Sequence, residues 1–274
     1  MGLLEDYDSV EPTIRKLYDS RLRLAILDAL KEGPMRLSDL RRKVGANAPN
    51  TSSRAKELED MGFIERNQGE FALTNWGRVI HNNISDSVQL LAAKENLAEY
   101  WQTHALGGIP ADLIQGLKSY SKTELIKPKK DNIDYPDQHF VQTMKQRSKK
   151  RLWGMTPIFR PEYLDLIISA VQNGADVRII LQQDIVPSVL SSIPDELKAQ
   201  LQNLENLKLY TIDEDLKLGF TIADDVCSCG FESRHGPSTF MDMNPESFDQ
   251  ETIDFQIKLF EHYLAKSKPI EYGI

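Results

Sequence analysis

PNTSSRAKELEDMGFIERNQGEFALTNWG, residues 49–77, is the stretch that decides the first fold assignment. Thr51, Ala55 and Leu58 recur at i, i+4 and i+7, which is one apolar face of a helix, while Asn50, Ser53, Arg54 and Glu57 point the other way. Gly62 ends that helix. FIERNQGEFALT (63–74) then reads as two short strands around a Gln68-Gly69 turn. A helix that begins with small polar residues buries little there and leaves room for something to approach.

The chain upstream completes a module. SRLRLAILDALKEG (20–33) sets Leu22, Ala25, Ile26, Ala29 and Leu30 on one face, with Ser20 as N-cap and Gly33-Pro34 as the stop. MRLSDLRRKVG (35–45) follows as a short helix with Leu37, Leu40 and Val44 inward and Gly45 at its end. Three short helices and a hairpin predict an α+β winged helix-turn-helix domain over residues 1–78. In such a domain the third helix enters the major groove, leading with its N-terminal residues. The residues expected at double-stranded DNA are Arg41, Arg42, Asn50, Thr51, Ser53 and Arg54, with Arg66 and Gln68 from the hairpin tip. The charge signal is modest. From Arg36 to Arg66 the bases outnumber the acids by only two, although Arg41, Arg42 and Lys43 are consecutive. The bland reading is a protein-interaction module in which the Ser/Thr-rich start is only a cap.

The chain has 274 residues and a net charge of −8, which suggests two domains and excludes a chain that is basic throughout. Its two cysteines make no disulfide framework. No apolar run approaches the roughly 18 residues of a membrane span, and the N-terminus lacks a signal-peptide core, so the expectation is a cytoplasmic protein with no membrane partner.

Residues 79–108 read as a connecting helix with Ile80, Ile84, Val88, Leu91, Ala98 and Trp101 at helical spacing. A stripe this long suits packing against its twin, so a homodimer is expected, with two recognition helices meeting two half-sites. Leu106-Gly107-Gly108-Ile109-Pro110 breaks the pattern. From 109 to 274 strands and helices alternate: a helix over FVQTMKQRSK, strands at RLWGMT (151–156), ADVRIIL (175–181) and NLKLYTI (206–212), and a hairpin around Asp224-Asp225. Short helices are expected over residues 185–201, and a last helix from about Pro245 to Lys266. This predicts an α/β sensor-like domain. Ligands of such sheets sit beyond the carboxyl ends of strands, so Trp153, Thr156, Gln182, Asp184 and Arg234 are expected to hold a small polar or anionic metabolite. There is no Gly-rich phosphate loop, no His-x-x-x-His and no Cys-x-x-Cys, so no catalytic residue, metal or cofactor is assigned. The five histidines are scattered, and Cys227 and Cys229 read as two packed thiols on one strand face. Metal binding or redox sensing by that pair would need further ligands or a partner.

The residues quoted above resemble known regulators. MRLSDLRRKVGANAPNTSSRAKELEDMGFIERNQGEFALTNWG is similar to the winged-helix domain of archaeal regulators related to the ArsR/MarR type. RAKELEDMGFIER carries the L..LE..G.I.R end of their recognition helix, and F.LT..G carries the returning wing strand. The whole chain resembles archaeal transcription regulators that join this domain to the effector domain of the methanogen filamentation (methanogenesis) regulator family. That resemblance implies a DNA-binding regulator with a ligand-sensing second domain, and no enzyme. The second domain further resembles the phospholipase-D-like fold, but with Asp225 as the Asp of His-x-Lys-x-x-x-x-Asp, Leu218 and Phe220 stand at the His and Lys places. The resemblance therefore implies no phosphodiesterase. Two other readings remain. One is a constitutive DNA binder whose second domain only dimerises or recruits proteins. The other is a hydrolase with an accessory winged helix, which would require a nucleophile–base pair.

Overall fold

Side-chain caps begin helices in the N-terminal part. Ser20 accepts from the Arg23 amide to start α2 (Arg21–Leu30), and Asn47 accepts from the Asn50 amide at 2.9 Å to start α4 (Ala48–Asp60). Before α2 lies α1 (Leu3–Tyr18), and between α2 and α4 lie a short strand β1 (Met35–Arg36) and α3 (Leu37–Val44). Gly45 closes α3 with φ of 66°, a left-handed turn that suits glycine. The hairpin is β2 (Ile64–Asn67) and β3 (Glu70–Leu73), and β1 adds to it in the order β1-β3-β2. Its turn residues Gln68 and Gly69 have φ of 50° and 86°, both positive, the geometry that matches strand twist in a two-residue hairpin. The structure is a computed structural model describing residues 2–193, 204–234 and 242–270.

The chain divides into two compact units, Met1–Val88 and Gln89–Ile274. The first is held by one apolar cluster that includes Leu17, Ile26, Leu40, Leu58, Phe71 and Ile84. α5 (Asn75–Asn96) starts in this unit. The Thr74 hydroxyl donates to the Gly62 carbonyl at 2.7 Å and accepts from the Gly77 amide at 3.0 Å, which ties the helix start to the hairpin. A Cβ on Gly77 would stand 1.8 Å from the Phe63 carbonyl oxygen, so only glycine allows helix and strand backbones this close. The Leu-Thr-x-x-Gly run is thus a helix cap followed by a point of backbone contact.

The long helix expected over 79–108 is interrupted. α5 ends at Asn96, Leu97 leaves helical geometry at ψ of 26°, and α6 (Ala98–Thr103) follows. The second unit begins inside α5 because Ala93, Leu97 and Tyr100 are buried in that unit's own core.

The second unit is an eight-stranded mixed sheet in the order β11-β7-β6-β5-β8-β9-β10-β4. Its parallel centre is β5 (Arg151–Thr156), β6 (Asp176–Gln182) and β7 (Leu207–Ile212). On one side β8 (Leu218–Ile222), β9 (Cys227–Phe231), β10 (Asn244–Ser247) and the short β4 (Glu124–Ile126) follow β5, each antiparallel to the strand before it, and on the other β11 (Lys268–Pro269) pairs antiparallel with β7. Helices α7 (Tyr135–Arg147), α8 (Glu162–Gln172) and α9 (Val186–Ser192) supply apolar residues to one face of the sheet. α10 (Gln250–Leu264), α6 and a 3-10 turn over Ile114–Lys122 supply the other. α10 starts five residues later than the Pro245 expected from sequence, because Asn244–Ser247 pair as a strand with β4 and β9. The part of the expected 185–201 helices from residue 194 onward lies outside the described residues.

Candidate functional site

Two surfaces carry the candidate chemistry. The first is the outward face of α4. Asn50 and Ser53 are exposed there, and Arg54 is half-buried. Arg54 pairs with Glu57 one turn on, and Glu57 also accepts from Arg23, whose side chain is almost fully buried. Burial alone would raise the Glu57 carboxyl, but the bonds from Arg23 and Arg54 outweigh it and hold Glu57 below the usual carboxylate range. Arg54 is therefore positioned by a carboxylate anchored to the core. Arg41 and Arg42 are exposed at the end of α3, Arg42 paired with Asp39 at 2.8 Å. At the hairpin tip Arg66 and Gln68 are exposed, with the Arg66 guanidinium 5.3 Å from the Phe71 ring centre. Thr51 does not share this surface. It is fully buried, and its hydroxyl donates to the Asn47 carbonyl at 2.8 Å. Its i, i+4, i+7 relation to Ala55 and Leu58 already placed it on the core face, so it is withdrawn from the set expected at DNA.

The stripe on α5 divides in two. Ile84 is 8% exposed within the first unit's core, whereas Leu91 is 63% exposed and Trp76, Val79 and Val88 are also exposed. Ile84 is a residue of the fold, and these four are the ones free to meet another surface.

The five residues expected to hold a metabolite are not brought together. Strand alternation puts Trp153 and Thr156 on opposite faces of β5. Trp153 stacks on Phe260 of α10, its indole N–H donates to Asp176 at 3.0 Å, and the Arg178 guanidinium lies 4.7 Å from its ring centre. Gln182 accepts from the Leu216 amide at 2.9 Å and donates to Asp184 at 3.1 Å, which closes the loop after β6. Arg234 donates to the His104 carbonyl at 3.3 Å. Thr156 lines a cavity, and its hydroxyl is engaged by the Ile158 carbonyl and amide.

That cavity is the second surface. It lies between the sheet and helices α7 and α8, has a volume of about 80 Å³, and is open on one side. Its floor is made of residues with little or no side chain: Gly154 on β5, Gly219 and Thr221 on β8, Ser228 and Gly230 on β9. Phe140, Phe159 and Tyr163 stand among its walls. Glycine inside a strand weakens it and often marks a close approach. LWGMT, LGFTI and CSCGF each carry one at mid-strand, the signal that a sequence reading could have used.

Ser228 joins the cavity to a buried polar group. It and Asn244 share a short hydrogen bond, and Glu246, its cross-strand neighbour, accepts from His139 on α7 at 2.9 Å. Burial pushes the Cys229 thiol up to about 12 and Cys227 well above its ordinary value, so both stay protonated at neutral pH. His81 bonds Asp28 at 3.1 Å and His104 stacks on Tyr100 at 3.9 Å, while His235 lies outside the described residues. Leu218 and Phe220 are buried in the core and Asp225 pairs with Arg147 at 2.7 Å. Among the described residues no group of three or more His, Cys, Asp or Glu could hold a metal ion, and no helix is long and apolar enough to cross a membrane.

Two family models match successive stretches of the chain. Residues 11–92 match the domain described as "Methanogenesis regulatory protein FilR1, N-terminal domain", and residues 133–266 match "Methanogenesis regulatory protein FilR1, middle domain". These matches support a DNA-binding transcription regulator. No curated protein sequence matches the chain. Among solved structures, TrmBL2, an archaeal chromatin protein that shows a novel mode of DNA binding, is similar at 17% identity, covering 96% of this chain and 99% of that one, with a TM-score of 0.44. HmgR of Pseudomonas aeruginosa is similar at 14% identity, covering 88% and 93%, with a TM-score of 0.26. A dimethyltransferase of Streptomyces davawensis, RosA, is similar at 16%, covering 77% and 66%, with a TM-score of 0.25. None of these three likenesses is close enough to carry an argument about this chain.

Proposed function

We propose that this chain, which carries both of those regulatory domain types in order, is a cytoplasmic, homodimeric transcription regulator of the archaeal winged helix-turn-helix kind. Its N-terminal unit reads duplex DNA and its C-terminal unit is an effector domain that responds to a small molecule without reacting with it. The observation that carries the reading is the face of α4. Small exposed side chains, Asn50 and Ser53, flank a single arginine held in place by an anchored carboxylate. Small polar residues let the helix seat deep in the major groove, and an arginine there can form a forked pair with a guanine edge or a phosphate. Arg41 and Arg42 at the end of α3, with Arg66 and Gln68 on the wing, would meet the backbone on either side. The exposed Val88 and Leu91 on α5 support the dimer, which would set two such helices against two half-sites.

Fluorescence anisotropy with selected duplex DNA tests it. Affinity should fall as salt rises, because neutralising phosphates releases counterions. Arg54→Ala should weaken binding by about 1–3 kcal/mol while leaving the melting temperature near wild type. A folded Arg54→Ala protein with undiminished affinity would remove α4 as the reading surface.

A further inference from the structure

We infer that the half-open cleft between the sheet and helices α7 and α8 binds a small uncharged molecule with a compact ring and one hydroxyl group, in the manner of a phenol or a cyclic alcohol. This rests on the reading of the second unit as an effector domain, and it changes the chemistry expected of the ligand. No lining residue of the cleft is charged. An anion would therefore lose its hydration and gain no cation in return. A long or branched-polar ligand would not fit a space of about 80 Å³. Engineered apolar cavities of about 150 Å³ hold benzene, so a single six-membered ring is the largest body this space could seat, and only in part. The half-open side leaves room for the remainder.

The polar end is set by two hydroxyls. Thr156 and Tyr163 are already committed, the first to Ile158 and the second to Asp137 at 3.2 Å. Thr221 differs. Its hydroxyl oxygen lies 3.4 Å from where a Cβ on Gly154 would stand, so it faces the space that Gly154 leaves open. Ser228, also on the floor, bonds Asn244, whose side-chain nitrogen is buried with no hydrogen-bond partner of its own. A hydroxyl that both donates and accepts can engage Thr221 and Ser228 together. Ser228 already donates to Asn244 and so can only accept, and a group with no hydrogen-bonding capacity would leave the Thr221 hydroxyl unmatched.

Fluorine NMR on the full chain tests this with three probes that share one fluorinated ring: 4-fluorophenol, 4-fluorobenzoate and fluorobenzene. The phenol should bind saturably and the benzoate more weakly. Gly154→Ala adds a methyl into the floor with ordinary contacts, 3.4 Å to Ile179 and Thr221, and should weaken all binding about tenfold. Thr221→Val keeps the shape and removes the hydroxyl. It should weaken the phenol about fivefold, the usual worth of one hydrogen bond, and leave fluorobenzene unchanged. Tighter binding of the benzoate, phenol binding that neither variant alters, or no saturable binding of any probe at millimolar concentration overturns the inference. Should Gly154→Ala melt early, Thr221→Val decides alone. The same samples are titrated with duplex DNA. A silent cleft beside intact DNA binding defeats only this inference, whereas a loaded cleft beside absent DNA binding defeats only the regulator reading.

Discussion

The start of α4 and the floor of the cleft are both built from small residues, and they use smallness in opposite ways. At Asn50 and Ser53 the small side chains lie at the surface, where they let a large body come close. At Gly154, Gly219 and Gly230 they lie inside, where they leave room for a small one. Gly77 shows a third use, in which the close body is the protein's own Phe63 carbonyl. A missing side chain has meaning only through what stands opposite it.

That comparison breaks most visibly at Gly77. Gly77→Ala should cost more than about 3 kcal/mol in urea unfolding, since the methyl meets backbone that cannot swing aside. A near-native midpoint would show that helix and hairpin can part freely and that Gly77 is only permissive.

The next largest effect separates core from surface along α5. Ile84→Glu should destabilise the first unit by about 3–5 kcal/mol, because a charge enters the apolar cluster. Leu91→Glu should change stability by no more than about 0.5 kcal/mol and lower the mass seen by light scattering from dimer toward monomer. If Leu91→Glu stays dimeric, the association surface lies elsewhere.

A smaller effect concerns the carboxylate behind Arg54. The folded-state pKa of Glu57 is depressed, so its contribution is fully present above the unfolded value of about 4.3 and is lost as pH falls through the lower folded value. Urea midpoints between pH 6 and pH 3 should therefore decline more for wild type than for Glu57→Gln. Parallel curves would mean that Arg23 and Arg54 do not depend on this anchor. The smallest effect returns to the cleft. Gly154→Ala should be neutral or stabilising by up to about 1 kcal/mol, since it meets nothing closer than 3.4 Å and restricts the unfolded chain. A strong loss would mean that Gly154 belongs with Gly77 and that the space above it is needed by the fold.

Much of the architecture was legible because it rests on local rules. Ser20 as a cap, Gly45 as a left-handed stop and Gln68-Gly69 as a hairpin turn are where those rules put them. The edge of the second sheet was not. β4 is three residues long and β10 contains Pro245, which counts against a strand when read alone, so only their mutual pairing creates them. The site residues fared worse for a reason that was available. Placement beyond strand ends gathered Trp153 and Thr156 into one pocket, although a three-residue offset in a strand sends them to opposite faces. The mid-strand glycines, which do converge, carried no chemistry of their own and so drew no attention.

The pairing of β4 with β10 also orders events in time. It joins Leu125 to Pro245, across roughly 120 residues, whereas the hairpin and its neighbouring strand in the first unit join Ile64 to Leu73 and Met35 to Phe71. Contacts that close short loops form fast, and those that close long ones wait. On the ribosome the first unit can therefore fold while the second is still being made. The sheet that holds the cleft closes its far edge only after Asn244–Glu246 have emerged.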